Sequence, residues 1–255
     1  MKNLIAKSSM NFTSEEVKDS LSVRDLAFVY PGFNLGPITL AIAASCKIVG
    51  LIGPNGAGKT TLMSVIAGII PGASGVVNLD GAILDDLGRR KLIAFTGVDD
   101  IWYQRLTFRQ HLDLLRPFYP TWSRDIETDL LKRFAIPEKK SLGTASAGMR
   151  AKFALVAAFA RQPNMLLFDE PWNALDPTSR EEFSEALRTS RDLLPGPIIV
   201  SSHELEQIDQ LADLFIFVAN GRIIASGNRQ NLMEDSNLPV GARLVDLYMT
   251  LENHA

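Results

Sequence analysis

A glycine-rich segment at residues 53–60, GPNGAGKT, has the composition of a loop that binds phosphate groups. It follows the apolar run KIVGLI, which suits a strand, and precedes TLMSVIAGI, which suits a helix. Glycines let the backbone curve so that successive N–H groups point at phosphate oxygens, and the positive end of the helix dipole adds to the attraction. The residues expected to contact phosphate are Gly53, Asn55, Gly56, Ala57, Gly58, Lys59, Thr60 and Thr61.

Two side chains of this segment add specific chemistry. Lys59 would bring a cation to the β and γ phosphates of a nucleoside triphosphate, and the Thr60 hydroxyl would ligate Mg²⁺. A chance glycine-rich turn is the alternative, and the strand–loop–helix order argues against it. The segment therefore predicts a triphosphate site with a metal ion.

The run MLLFDE at residues 165–170 places two carboxylates at the end of an apolar strand. Adjacent residues on an extended strand point to opposite faces, so Asp169 and Glu170 should have different roles. Asp169 suits the Mg²⁺ shell, usually through water, and Glu170 suits polarising the water that attacks the terminal phosphate. Such a pair alone is more often a solvated turn, but together with the glycine-rich loop it predicts a catalytic site.

The elements that must position these residues follow an α/β pattern. Continuous apolar runs, each ending in glycine or polar residues, suit strands that are buried on both faces of a parallel sheet. Helical patterns separate them, which predicts a sheet covered by helices. The four clearest runs are residues 47–53, 164–170, 197–201 and 214–218.

Helix signals also divide the chain. Three pairs of residues have the spacing of a helix start: Thr107 with Gln110, Thr178 with Glu181, and Ser201 with Glu204. Strand signals disappear between about residues 99 and 160 while helical ones persist, which predicts an inserted helical lobe. A last amphipathic helix is expected at about residues 243–252. The predicted organisation is a lead-in at residues 1–20 followed by one domain at residues 21–255.

Composition excludes several classes. With 255 residues, 46% of them hydrophobic and 22% charged, the chain suits an ordinary globular domain. Twenty-six basic against 29 acidic residues argue against a nucleic-acid partner. The first 20 residues lack the apolar core of a signal peptide, and no stretch has the roughly 20 apolar residues that cross a bilayer. Any membrane role is therefore expected to be peripheral, through a partner.

The segment ASAGMRAKFALVAAFARQPNMLLFDEPWNALDP, residues 145–177, resembles the ABC-type ATPases, because it runs that family's signature, its helix, the acidic strand and the following loop in unbroken order. The likeness covers residues 21–251. It implies a P-loop NTPase core with a mixed or parallel sheet flanked by helices, an antiparallel β region near the N-terminus, and the inserted helical lobe. It also implies ATP and Mg²⁺ as cofactors.

In that family two ATPase domains pair head to tail, and each ATP lies between the phosphate loop of one and the signature of the other. By resemblance, Ser146 and Gly148 contact the γ-phosphate bound by the partner, and Asp176 couples the two sites. Ala147 departs from the family's usual glycine, and its methyl needs room where backbone and phosphate approach closely. An ordinary helix start is the alternative for Ser146 and Gly148.

The resemblance assigns two further residues. His203, after the run PIIVSS, matches the family's histidine that reaches the γ-phosphate and helps to hold the water, although a histidine at a helix start is more often exposed or a local cap. Tyr30 matches the aromatic residue that stacks on adenine. A core or turn tyrosine is the alternative, with Phe33 as the substitute.

One family residue is missing. A Gln or Glu that contacts Mg²⁺ usually follows a strand here, and alignment of KLIAFTGVDD puts Val98 at that position. Valine cannot bind a metal ion. Asp99 and Asp100 are candidate substitutes with a shift of one or two residues, and weak or altered coupling is expected.

The resemblance implies the ATP-binding and hydrolysing subunit of an ABC transporter. The tail LVDLYMTLEN and the stretch SAGMRAK are similar to those of bacterial drug, peptide and lipid exporters. The expected partners are a second, identical or homologous ATPase subunit and a separate membrane permease, at the cytoplasmic face of the membrane. Two alternatives stay open: a soluble ABC ATPase outside transport, and a weakly hydrolysing regulatory cassette, which Val98 and Ala147 favour and Glu170 and His203 oppose.

Overall fold

A computed structural model of the protein describes residues 19–97, 103–173, 175–239 and 241–252. The strands in these ranges form two sheets, one of four strands in the order β2-β1-β4-β5 and one of six in the order β10-β9-β3-β8-β7-β6. The strands are β1 Asp19–Tyr30, β2 Phe33–Ala43, β3 Ile48–Ile52, β4 Ser74–Leu79, β5 Ala82–Ile83, β6 Ile93–Thr96, β7 Met165–Phe168, β8 Ile198–Ser202, β9 Leu214–Ala219 and β10 Arg222–Gly227.

The helices follow the strands in the alternation that the sequence predicts. They are α1 Lys59–Ile66, α2 Asp86–Leu92, α3 Phe108–Leu115, α4 Arg124–Arg133, α5 Ala147–Ala160, α6 Pro177–Ser190, α7 Leu205–Asp209, α8 Arg229–Asp235 and α9 Leu244–Glu252. No helix in the part of the chain that the structure describes is long and apolar enough to span a membrane.

The six-stranded sheet confirms the predicted parallel core. The four apolar runs form β3, β7, β8 and β9, and β3 pairs in parallel with both β8 and β9. The runs are continuously apolar because each face of the sheet is covered. In β3, Ile48 and Ile52 belong to one buried core, while Val49 and Leu51 belong to the other.

The four-stranded sheet is antiparallel, as expected for the N-terminal region. Its residues Leu21 and Val23 share a core with Leu62 and Val65 of α1 and with Leu51 of the central sheet. Helix α1 therefore packs between the two sheets, which holds the loop before it in place.

Helices α3, α4 and α5 lie in sequence between β6 and β7, within the range predicted to be a helical lobe. The helix start at Thr107 is confirmed. Its hydroxyl accepts a hydrogen bond from the Gln110 backbone N–H at 3.2 Å, and the Gln110 side chain accepts one from the Thr107 N–H at 2.8 Å.

The other two predicted helix starts are wrong. Helix α6 begins at Pro177 with Asp176 as its cap, two residues before Thr178. Proline suits the first turn because its missing N–H would have no helical partner there. Ser201 lies inside β8, not at a helix start, and Glu204 occupies the cap position of α7 without capping it through its side chain.

Helices α3 and α4 and the segment between them are joined by a buried charge as well as by apolar contacts. Glu127 of α4 is 2% exposed. Its carboxylate accepts hydrogen bonds from Arg109 Nη1 at 2.7 Å, Arg116 Nε at 2.8 Å and Trp122 Nε1 at 2.8 Å. Burial raises the pKa of Glu127, but the hydrogen bonds from Arg116 and Trp122 outweigh it, so the pKa lies below the ordinary value of 4.5.

Removing this carboxylate should destabilise the fold. We expect Glu127→Ala to lower the free energy of unfolding by about 3–5 kcal/mol near neutral pH, because it leaves two arginines without their buried partner. A lowered folded-state pKa stabilises the fold above the unfolded-state pKa, and this stabilisation is lost as the pH falls through the folded-state value. Urea denaturation of both proteins on either side of pH 4.5 should therefore show the difference shrinking in acid.

Glu138 supplies the matched control, because it also binds Arg109 but its side chain is 41% exposed. Glu138→Ala should cost less than about 1 kcal/mol. Equal losses in the two variants would contradict a special role for the buried carboxylate.

Candidate functional site

The loop between β3 and α1 has a conformation that only glycine accommodates. Gly56 and Gly58 have φ values of 80° and 104°, in the left-handed region. A Cβ on Gly53 would lie 2.2 Å from the carbonyl oxygen of Val218, and one on Gly58 would lie 2.6 Å from the Phe33 ring. The loop therefore packs against β9 and β2 and leads directly into the first turn of α1, where free N–H groups are available to an anion.

Lys59 lies at the first position of α1 and is 5% exposed. Its Nζ donates hydrogen bonds to the carbonyl oxygens of Gly53, at 2.7 Å, and Pro54, at 3.2 Å. The same nitrogen lies 3.1 Å from Glu170 Oε1. The ammonium group is therefore held beneath the loop and faces the acidic strand end.

Asp169 joins the glycine-rich loop to the acidic strand end. Its Oδ2 accepts a hydrogen bond from the Thr60 hydroxyl at 2.6 Å. Its Oδ1 accepts one from the Ser201 hydroxyl at 2.6 Å. The two residues predicted to bind Mg²⁺, Thr60 and Asp169, are therefore in direct contact although 109 residues separate them.

Glu170 faces different partners from Asp169, although not for the predicted reason. Both acids lie beyond β7, which ends at Phe168, and Glu170 has a left-handed φ of 48°. A turn, and not the alternation of a strand, separates the two side chains. Glu170 Oε2 lies 2.8 Å from His203 Nδ1, while its Oε1 faces Lys59.

These residues converge because of the topology of the sheet. Strands β3, β8 and β7 are neighbours and parallel, so their carboxyl ends meet at one edge. Lys59 follows β3, His203 follows β8, and Asp169 and Glu170 follow β7. The edge carries a cation, a hydroxyl paired with a carboxylate, and a second, hydrogen-bonded acid, which is an arrangement suited to hydrolysis of a phosphoanhydride.

Ser146 and Asp176 occupy helix starts. Ser146 caps α5 by accepting a hydrogen bond from the Met149 N–H at 3.2 Å. Asp176 caps α6 by accepting bonds from the Ser179 N–H at 3.0 Å and its hydroxyl at 2.8 Å, and these bonds lower the pKa of Asp176. Among the residues described, no hydrogen bond joins these two caps to Lys59 or to the acid pair.

A cavity of about 190 Å³ separates the start of α5 from the acid pair. Its lining includes Ala147 and Arg150 of α5 together with Asp169 and Glu170. Ala147 is half-buried and packs against the larger core, so its methyl group has a place within a single chain.

The two aromatic candidates for base stacking differ in exposure. Tyr30, the last residue of β1, is 57% exposed and stands 6.1 Å from the Phe28 ring. Phe33 is half-buried and packs against Gly58 and Leu35. Stacking requires an accessible ring, so the greater exposure of Tyr30 favours it over Phe33.

Some predicted residues cannot be placed. Val98, Asp99 and Asp100 lie outside the described residues, so the hypothesis of a substitute acid at the metal stays a prediction.

Sequence reasoning missed Arg180 near the site, and it assigned Ser201 and Glu204 to a helix start. Arg180 donates from Nε to the Leu175 carbonyl oxygen at 3.0 Å and pairs through Nη1 with Glu204 at 2.6 Å, so it ties the loop before Asp176 to the residue after His203. No spacing could show this, because 24 residues separate Arg180 from Glu204. The role of Ser201 could have been predicted in part, because a hydroxyl inside an apolar run is buried and therefore needs a hydrogen-bond partner.

Comparison with known proteins agrees with the geometry. A family model described as ABC transporter matches residues 36–173. The ABC-type transporter ATP-binding protein EcsA of Bacillus subtilis is 30% identical over 241 residues, which cover 91% of this chain and 96% of that protein. A solved structure titled "Structure of ATP binding subunit of ABC transporter" superposes with a TM-score of 0.77 at 29% identity and covers 91% of this chain and 99% of that one.

Relatives named for opposite directions of transport also match. The Nod factor export ATP-binding protein I of Rhizobium meliloti is 29% identical, over 88% of this chain and 69% of its own length. The molybdenum import ATP-binding protein ModC of Rhodobacter capsulatus is 31% identical, over 76% of this chain and 55% of its own length. Sequence similarity alone therefore does not decide between import and export.

The contact between Gly148 and Ser179 sets the distance between the starts of α5 and α6. A Cβ on Gly148 would lie 2.5 Å from Ser179 Oγ and 2.9 Å from its Cβ. We expect Gly148→Ala to lower the free energy of unfolding by about 1–3 kcal/mol because it overfills this contact. Ser179→Gly in the same chain removes both obstructing atoms and should recover part of the loss.

A double-mutant cycle by urea denaturation measures the effect, with Ser179→Gly alone as the reference for the lost cap contact. Simple additivity of the two single changes would show that close approach is not what requires glycine at this position.

Proposed function

The chain belongs to the ABC transporter family and is an ATP-binding protein with ATPase activity, and we propose that it drives an exporter whose membrane-spanning part is a separate chain. The observation that carries the catalytic proposal is the position of Glu170, with one carboxylate oxygen on Lys59 and the other on His203. That arrangement lies beside the contact between Thr60 and Asp169.

In the proposed site, the triphosphate lies along the loop of residues 53–61. Backbone N–H groups of this loop and of the first turn of α1 bind phosphate oxygens, because their positive ends are directed at the anion. Lys59 exchanges its present carbonyl partners for the β and γ phosphates. Tyr30 stacks on the adenine, since its exposed ring lies at the end of β1.

The donor set fits Mg²⁺. Thr60 and Asp169 offer a hydroxyl and a carboxylate whose oxygens lie 2.6 Å apart, and Mg²⁺ in phosphate sites is held by one or two carboxylates together with phosphate oxygens and water. We propose that these two residues hold the ion. When bound, it neutralises charge on the β and γ phosphates.

Glu170 is the proposed general base. Its carboxylate orients the attacking water and accepts the proton as the water oxygen bonds to the γ phosphorus in line with the leaving ADP oxygen. His203 fixes one oxygen of that carboxylate, and Lys59 offers positive charge to the phosphate as negative charge spreads over it.

A second ATPase chain completes the site in this proposal. Ser146, Gly148 and Asp176 form no hydrogen bond with the catalytic cluster in the residues described, and Ser146 and Asp176 are exposed at helix starts. Head-to-tail pairing would bring these helix starts against the γ-phosphate held by the partner. Their exposure supports that use, because a helix start attracts anions.

The proposed export direction rests on the short amphipathic tail. Helix α9, Leu244–Glu252, buries Leu244 and Leu247, and its sequence LVDLYMTLE is similar to that of bacterial exporter subunits. The proposed partner is a permease that this chain joins peripherally at the cytoplasmic face of the membrane.

Glu170→Gln tests the assignment of the base. We expect it to lower the turnover number about 10²–10⁴-fold, the range that a general base supplies. ATP affinity should stay near wild type, because the amide keeps the size of the side chain, and a closed ATP-bound dimer should accumulate. Lys59→Ala should instead weaken ATP binding itself.

Phosphate release measures turnover, equilibrium binding measures ATP affinity and sedimentation measures the dimer, with Glu138→Gln in the turn after α4 as the control. Wild-type turnover in Glu170→Gln would remove Glu170 from the mechanism.

Co-expression with the candidate permease tests the transport role. In vesicles containing both proteins, ATP outside an inverted membrane should drive substrate inward, which corresponds to export from the cell. Substrate movement in the opposite sense would make the protein an importer subunit. ATPase activity that never responds to a permease would favour the soluble or regulatory alternative.

A further inference from the structure

Ser201 is a fully buried serine at the carboxyl end of β8, with 0% exposure. Its hydroxyl makes two hydrogen bonds with the acid pair. It accepts from the backbone N–H of Glu170 at 2.8 Å and donates to Asp169 Oδ1 at 2.6 Å. A single side chain therefore contacts both residues proposed to act on the metal and the water.

The direction of these bonds is determined. A hydroxyl has one proton, and the Glu170 N–H can only donate, so the proton of Ser201 must point to Asp169. The resulting O–H···O⁻ bond is of the short, charge-assisted kind. It engages Asp169 Oδ1 and leaves Oδ2 directed at Thr60.

The second bond restrains an unfavourable backbone conformation. Glu170 is a non-glycine residue with a φ of 48°, a region that costs free energy for residues with a Cβ. Ser201 holds the backbone end of Glu170, while His203 and Lys59 hold the carboxylate end. The orientation of the proposed base is thus set from both ends.

The neighbouring serine serves a different loop. Ser202 points to the other side of β8, where its hydroxyl accepts from the Glu204 N–H at 2.7 Å and donates to the Glu204 carbonyl at 3.1 Å. The two serines of the run SSH are therefore not interchangeable, and only Ser201 contacts the acids.

We propose that Ser201 is a positioning residue: its hydroxyl orients the Asp169 carboxylate toward the metal and sets the turn that presents Glu170 to the attacking water. This inference rests on the proposed function of the acid pair. A residue that acts only through packing would affect stability alone, whereas a positioning residue affects metal affinity and turnover at unchanged ATP binding.

The experiment compares Ser201→Ala, Ser201→Cys and Ser201→Thr with wild type. Mn²⁺ serves as the metal probe, and its affinity is measured by electron paramagnetic resonance in the presence of a non-hydrolysable ATP analogue. Ser201→Ala should weaken Mn²⁺ binding and lower kcat by about 10- to 100-fold each, since the lost hydrogen bond is made to a charged group. The KM for ATP at saturating metal should change little.

The other two variants separate the hydroxyl from the packing. Ser201→Cys keeps nearly the same shape but offers a weak donor, so it should resemble Ser201→Ala even if the alanine variant folds poorly. Ser201→Thr keeps the hydroxyl and should restore most of the metal affinity. The matched control is Ser190→Ala, which removes an equally buried hydroxyl at the end of α6 and should leave both quantities unchanged.

Two results would overturn the proposal: Mn²⁺ affinity and kcat in Ser201→Cys equal to wild type, or losses in Ser190→Ala as large as those at Ser201. Failure of the proposed function looks different, because wild type would then lack ATP turnover or Glu170→Gln would keep it. The Mn²⁺ measurement tests Ser201 in either case, since it does not depend on hydrolysis.

Discussion

Two adjacent carboxylates at the end of a buried strand repel each other and lose hydration, and the surrounding groups at this edge of the sheet compensate for their charge. Asp169 is held by two hydroxyl groups, one from α1 and one from β8. Glu170 is held by a lysine and a histidine. Thr60, Lys59 and His203 are also groups that a bound metal triphosphate could use, so most of the interactions that stabilise the acids prepare the site for its ligand.

The sheet order makes that compensation possible. Parallel pairing places the ends of β3, β8 and β7 side by side, and each end supplies a different chemical group. The buried cores on the two faces fix the strands, because a slip of one residue would move Ile48 and Val49 to the wrong faces. The glycine-rich loop can then close against β9, where only a residue without a Cβ fits at Gly53. Precise placement of the reacting groups follows from rigid packing that lies mostly outside the site.

Side chains that look like helix caps in the sequence can have other partners in the fold. Ser201 has the spacing of a cap with Glu204, yet its hydroxyl binds Asp169, 32 residues away in the chain. Thr178 has the same spacing with Glu181, yet α6 begins earlier because Asp176 caps it and Pro177 fits its first turn. Where the partner is local, as for Thr107 and Gln110, the spacing was sufficient. Local patterns thus predict local hydrogen bonds, but they fail where a distant buried charge binds the hydroxyl, as at Ser201, or where a better cap lies nearby, as Asp176 does for α6.

The sequence by itself determined the elements and the chemistry: buried strands, because their apolar runs are continuous, and a phosphate loop with an acidic strand end, because residue type and order are specific there. Only the tertiary structure decided which groups meet. The contact of Thr60 with Asp169, the two-sided hold on Glu170 and the link from Arg180 to Glu204 join residues 24 to 111 positions apart in the chain. Such contacts depend on strand order and on the turn at Glu170, and neither leaves a periodic trace in the chain.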